Sequence, residues 1–132
     1  MINVKIKDNG ICEVFHESSQ AKISTSTAPE YGGQGLGFSS TDLVAAALGS
    51  CIGSSLEPVL IRHDLPVHEF ILNVEKKLSH SLRKIASLTV TLVTGVDLDE
   101  TLKTKLSRTA KACPVHRSLH PDIVVEWSIR KV

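Results

Sequence analysis

At 132 residues, of which 42% are hydrophobic and 22% are charged, the chain has the size and composition of one soluble globular domain with a buried core. Its formal net charge is +1, with charges of both signs scattered along the sequence, so it lacks the basic cluster that nucleic-acid binding requires. We therefore expect a single domain over residues 1–132 that binds neither nucleic acid nor a membrane.

The first part of the chain is predicted to form three short strands, over about 2–7, 11–16 and 20–26. Apolar residues alternate up to Asn9-Gly10, a pair that favours a tight type I′ hairpin turn because both turn residues must adopt positive φ. Residues 27–37 are rich in glycine and are predicted to form a mobile loop. The N-terminus has no signal-peptide pattern, and we expect the protein to be cytoplasmic.

A long first helix is predicted over about 41–57. Ser39 and Asp42 have the spacing of a capping box at its start, and Pro58 is expected to end or kink it. Its apolar run, Leu43 to Ile52, is about half of the roughly 20 residues that a membrane helix needs, which indicates a core helix.

One side of this helix is lined by small residues four positions apart, namely Ala45, Gly49 and Gly53. Each interior glycine costs about 1 kcal/mol of helix stability relative to alanine, so tertiary contact must offset that loss. We expect a second helix or a sheet to lie against this small-residue ridge.

In the second half of the chain, apolar and polar residues alternate over about 67–79 and 83–95, a pattern that is typical of antiparallel strands. An amphipathic helix follows, from near Asp97 or Asp99 to just before Pro114, and a final strand covers about 123–129. The predicted fold class is therefore α+β.

Two of the three cysteines stand out. Cys51 lies in the apolar stretch of the first helix, where core packing is the simplest interpretation, as it also is for Cys12 in a hairpin strand. Cys113 precedes Pro114, so it either caps a short new helical turn, whose N–H groups would lower its pKa, or ends the second helix, where the dipole acts in the opposite sense. If the fold joins Cys51 and Cys113, one thiolate can attack an oxidant and the other thiol can resolve the sulfenic acid as a disulfide.

A metal site is the alternative for the same residues. Cys113, His116 and His120 have a Cys-x2-His-x3-His spacing that Cys51 would complete for zinc. The chain has no Cys-x2-Cys pair, which is half of the usual zinc signature, and we expect neither a bound metal nor a cofactor.

The segments Ser40 to Cys51 and Ala112 to Leu119, with a charged helix between them and a strand after them, resemble the OsmC/Ohr family of osmotically inducible and organic hydroperoxide resistance proteins. The resemblance covers nearly the whole chain. It implies an OsmC-like fold, in which antiparallel sheets wrap central helices in an intertwined homodimer. It also implies reduction of organic hydroperoxides by a two-cysteine cycle, with a dithiol or lipoyl-type reductant.

By position, Cys51 resembles the peroxidatic cysteine of that family and Cys113 the resolving one. The family's N-terminal arginine has no counterpart, since the first arginine is Arg62, and Thr41 stands where the family has a glutamate. These departures place the chain nearer the OsmC-like branch. The alternative function is therefore a small-molecule-binding protein with little or no peroxidase activity.

Other residues are candidates for the groups that the family pattern leaves open. Asp42 could replace the glutamate, although helix capping explains it as well. Arg117, His116 or one of the N-terminal lysines could replace the arginine. The candidates for the substrate pocket share the first helix with Cys51, and core packing is their alternative role: Val44, Leu48 and Ile52.

Overall fold

The structure, a computed structural model, describes all 132 residues, which form two compact units over residues 1–44 and 45–132. Each unit has its own three-stranded sheet. The α+β class is confirmed, and the single domain stays a prediction.

The first unit contains β1 (Ile2–Ile6), β2 (Ile11–His16) and β3 (Lys22–Ser26), which pair antiparallel in that order. The β1–β2 turn has Asn9 at φ 59° and Gly10 at φ 71°, and the Ile11 N–H donates to the Asp8 carbonyl oxygen at 3.3 Å. The hairpin predicted from Asn9-Gly10 is therefore confirmed.

One face of this first sheet is apolar and exposed. Val4 pairs with Val14 and Val14 pairs with Ile23, so the three side chains lie on the same face. Ile2 and Ile6 extend that face along β1 and are 64% and 84% exposed. A row of exposed apolar side chains of this kind marks an interaction surface more often than a solvated one.

Helix α1 spans Ser40–Arg62, five residues beyond the predicted end. Pro58 lies inside the helix, which loses one backbone N–H donor there. The Pro58 side chain is exposed to solvent. The helix ends where Asp64 adopts φ 54° and the Leu65 N–H donates to the Leu60 carbonyl oxygen at 3.0 Å, as in a Schellman motif. At 23 residues, α1 is long and apolar enough to cross a membrane by length and composition, a test that core helices of soluble proteins also pass.

The sheet of the second unit has the order β4 (Phe70–Ser79), β5 (Lys84–Thr94) and β6 (Val124–Lys131). β4 and β5 are antiparallel, as predicted, but β6 runs parallel to β5. The expectation of antiparallel sheets is therefore wrong for this sheet. The reason is the helical crossover between β5 and β6, which returns the chain to the same end of the sheet before the last strand begins.

Two helices form that crossover, α2 (Glu100–Lys111) and the short α3 (Pro114–Ser118). Asp99 caps α2 by accepting a hydrogen bond from the Leu102 N–H at 2.7 Å. The core of the second unit is made by the buried faces of α1, β5 and α2, with these residues almost inaccessible: Leu48, Ile52, Leu56, Leu88, Val90, Leu92, Leu102, Leu106 and Ala110.

The small-residue ridge of α1 packs against β4. A β-carbon added at Gly49 would lie 2.9 Å from Val74 Cγ2, and one added at Gly53 would lie 3.6 Å from Leu72 Cδ1. The prediction that a sheet or helix lies against these glycines is confirmed. The partner is a strand of the same chain, so these glycines give no support to a helix-to-helix dimer contact.

Candidate active site

Cys51 lies near the middle of α1, two residues before the second ridge glycine, and is partly exposed. Its carbonyl oxygen accepts a hydrogen bond from Ser55 Oγ at 2.9 Å. The neighbouring pocket candidates Leu48 and Ile52 are 0% and 1% exposed and belong to the core. Cys51 therefore lies at the edge of the packed face of the helix, between core and solvent.

Cys113 lies between α2 and α3 and is 1% exposed. It is the N-cap of α3, with φ −64° and ψ 143°, and its Sγ accepts a hydrogen bond from the His116 N–H at 3.3 Å. Pro114 occupies the first helical position, where its missing N–H has no cost. Of the two predicted placements, the structure therefore selects the capping one.

The two thiols are neighbours. The Cys51 side chain lies close enough to Cys113 to raise the pKa of its thiol, although the residues are 62 positions apart in the sequence. Neither thiol is in a disulfide. Neighbouring thiols can be joined as a disulfide, so the pair can support sulfenic acid and disulfide chemistry.

Burial is the main influence on Cys113 and raises the pKa of its thiol. The backbone N–H groups of His116 and Val115 lower that pKa, while the neighbouring Cys51 side chain raises it further. The net pKa is raised. The N–H groups at the capping position lower the pKa as expected, but the cost of placing a charge at a buried sulfur exceeds what they recover.

The comparison with known proteins agrees with this arrangement. Residues 33–128 match the family described as OsmC-like protein, and this range contains both cysteines. The chain belongs to the OsmC-like family. No curated protein matches it.

Solved structures show the same OsmC-like fold. A protein from Psychrobacter arcticus 273-4, provisionally assigned to osmotic stress induction and detoxification response, is 25% identical with a TM-score of 0.90, over 98% of this chain and 94% of that one. The OsmC-like protein from Mycoplasma pneumoniae is 14% identical with a TM-score of 0.79, over 100% of this chain and 96% of that one. The organic hydroperoxide resistance protein OsmC from Legionella pneumophila is 21% identical with a TM-score of 0.72, over the same shares of the two chains.

In this OsmC-like chain, two side chains are candidates for the positive charge that would activate Cys51, and their surroundings differ. The His116 ring is half-buried and its Nδ1 hydrogen-bonds the Lys111 carbonyl oxygen at 3.0 Å, so Nδ1 carries the hydrogen. His116 thus contacts Cys113 through its backbone N–H, while its ring is bound to the end of α2. Arg117 is exposed on α3. A role for either side chain in activating Cys51 stays a prediction.

Asp42 is part of the cap of α1, in the first unit. Its Oδ2 accepts a hydrogen bond from the Ser39 N–H at 2.8 Å, and its own N–H donates to Ser39 Oγ at 3.0 Å. The predicted capping box is confirmed by these reciprocal bonds. A catalytic role for Asp42, and a binding role for the half-buried Val44, stay predictions.

Metal binding by this OsmC-like site is not supported. No group of three or more histidine, cysteine, aspartate or glutamate side chains converges in the structure.

The backbone N–H partner of Cys113 follows from the capping placement, one of the two that the sequence left open. The only signal was Cys113-Pro114 itself, since proline after a small polar residue is typical of a first helical turn.

Proposed function

We propose that this OsmC-like protein is a thiol-dependent peroxidase that reduces organic hydroperoxides through a two-cysteine cycle. The observation that supports the proposal is the proximity of a partly exposed thiol, Cys51, and a buried one, Cys113. Family membership agrees with it, because a family relative of the same fold is named an organic hydroperoxide resistance protein.

The difference in exposure assigns the roles. Cys51 is partly open to solvent and Cys113 is not, so a hydroperoxide reaches Cys51 first. The Cys51 thiolate attacks the distal oxygen of the hydroperoxide and breaks the O–O bond. The products are the alcohol, which takes up a proton, and a sulfenic acid on Cys51.

Cys113 completes the cycle. Its sulfur attacks the sulfenic sulfur and displaces water, so that one hydroperoxide is reduced by two electrons and both thiols are oxidised to one disulfide. A dithiol, of which lipoyl groups are one kind, then restores the two thiols and is itself oxidised to a disulfide.

The test is thiol titration combined with intact mass before and after one equivalent of cumene hydroperoxide. We expect wild type to lose two thiols and about 2 Da, and Cys113→Ser to accumulate a sulfenic acid at Cys51 that a dimedone probe captures. Cys12→Ser is the matched control, because it removes the third cysteine and should behave as wild type does. If all variants keep their thiols, the protein is instead a small-molecule-binding member of the family.

We also propose that the protein acts as a cytoplasmic homodimer. The support is the exposed apolar face of the first sheet, made by β1 residues Ile2, Val4 and Ile6 with Val14 and Ile23. Sedimentation at micromolar concentration should give twice the chain mass. Val4→Lys should give monomers, whereas Lys5→Glu, on the opposite face of the same strand, should leave the mass unchanged.

A further inference from the structure

We propose that the disulfide between Cys51 and Cys113 is opened only from the Cys51 side, so that the reducing thiol forms its mixed disulfide with Cys51 and Cys113 is the sulfur that departs. This inference rests on the proposed disulfide. It assigns the direction of the recycling step, which the two-cysteine cycle alone leaves open.

The two sulfurs differ in access from solvent. A thiolate opens a disulfide by approaching one sulfur along the S–S axis, from the side away from the other sulfur. For Cys113 that approach is closed from solvent, because the residue is 1% exposed. Cys51 is partly exposed, and an incoming thiol approaches it from solvent.

The environment of Cys113 also suits it to be the departing sulfur. When Cys113 leaves, negative charge develops on Sγ, which already accepts the His116 N–H at 3.3 Å. This bond is present before the reaction, so no group has to reorganise to receive the charge. Burial works against that charge, and Cys113 therefore takes up a proton soon after it departs.

The step balances. A thiolate of the reductant bonds to Cys51 Sγ, the bond between the two cysteine sulfurs breaks with its electron pair on Cys113, and Cys113 accepts a proton. A second reductant thiolate then attacks the mixed disulfide, which releases Cys51 as a thiolate and the reductant as its disulfide. Two electrons pass from two reductant thiols to the protein.

The sequence makes the test direct, because the three cysteines fall on different tryptic peptides. Cys12 is on 8–22, Cys51 on 23–62 and Cys113 on 112–117. The Cys12→Ser protein is oxidised with diamide, which takes two hydrogens from the thiol pair without any peroxide. It is then mixed with excess cysteamine, quenched in acid after a short interval and digested. The cysteamine adduct is quantified on each peptide.

We expect the adduct on 23–62 to exceed that on 112–117 by about tenfold or more, since access decides which sulfur is attacked. The matched control is the same oxidised protein in urea, where both sulfurs are open and both peptides should carry cysteamine in similar amounts. A preference for 112–117 would overturn the inference. An unchanged preference in urea would overturn the role of burial and so the inference as well.

The two proposals can fail separately. If diamide forms no disulfide between the two cysteines, both fall. If diamide forms it and cumene hydroperoxide does not, the peroxidase proposal falls, and the direction of opening is still decided by the position of the cysteamine.

Discussion

The backbone N–H of His116 donates to Cys113 Sγ at 3.3 Å, so one of the two thiols of the candidate site is also the N-cap of a helix. The same sulfur thus serves local structure and redox chemistry. A change at Cys113 alters both, and the two effects are separable because serine and alanine differ as caps.

Cys113→Ala should destabilise the protein more than Cys113→Ser. Serine can accept the His116 N–H in place of sulfur, whereas alanine leaves that buried donor without a partner, and N-cap differences of this kind are about 1 kcal/mol. Urea unfolding of the two variants measures the difference directly. Equal free energies of unfolding would mean that the sulfur contributes nothing to the cap.

Stability should fall at alkaline pH. The folded state raises the pKa of the Cys113 thiol, mainly through burial, so folding favours the protonated form. That contribution is complete below the pKa of the unfolded thiol, about 8.5, and is lost as pH rises through the higher folded value.

The measurement is the free energy of unfolding in reducing buffer from neutral pH upward, for wild type and Cys113→Ser. The serine variant should lose less stability above pH 8.5 than wild type does. If the two proteins respond identically, the buried thiol is not the group that titrates.

Ser39→Ala and Asp42→Ala should each lower stability by about 0.5–2 kcal/mol, because each removes one half of the reciprocal cap of α1. Their peroxidase activities separate the two interpretations of Asp42. If it only caps the helix, both variants keep the same kcat/KM per folded molecule. If it also acts in catalysis, Asp42→Ala alone loses activity.

Gly53→Ala should stabilise the protein, by up to about 1 kcal/mol, since alanine is the better helix former and its β-carbon would lie at an ordinary 3.6 Å from Leu72. Gly49→Ala is the matched contrast. Its β-carbon would lie 2.9 Å from Val74, so the gain in helix propensity is offset by a displaced strand. Thermal unfolding should therefore rank Gly53→Ala above Gly49→Ala.

Local sequence patterns were sufficient to predict those elements that depend only on residues close together in the chain. The hairpin at Asn9-Gly10 depends on two residues that accept positive φ, and the box at Ser39 and Asp42 depends on side chains three positions apart. The amphipathic spacing of Leu102, Leu106 and Ala110 likewise identified the buried face of α2.

Features that depend on contacts between distant parts of the chain could not be predicted from local sequence patterns. The parallel direction of β6 is set by the crossover through α2 and α3, and the raised pKa of Cys113 comes mainly from its burial in the folded chain. The end of α1 was misplaced because proline alone does not stop a helix whose packed face continues, as it does here through Val59 and Leu60.

The parallel pairing of β5 with β6 has a consequence for synthesis of the protein. Residues 87–94 find their partners only at 124–131, so until the last strand leaves the ribosome one edge of β5 has no hydrogen-bonding partner. Val90 and Leu92, which complete the core of the second unit, lie on that strand. A nascent chain at this stage presents an open, apolar strand edge to its neighbours, and the nascent chain is then most vulnerable to aggregation.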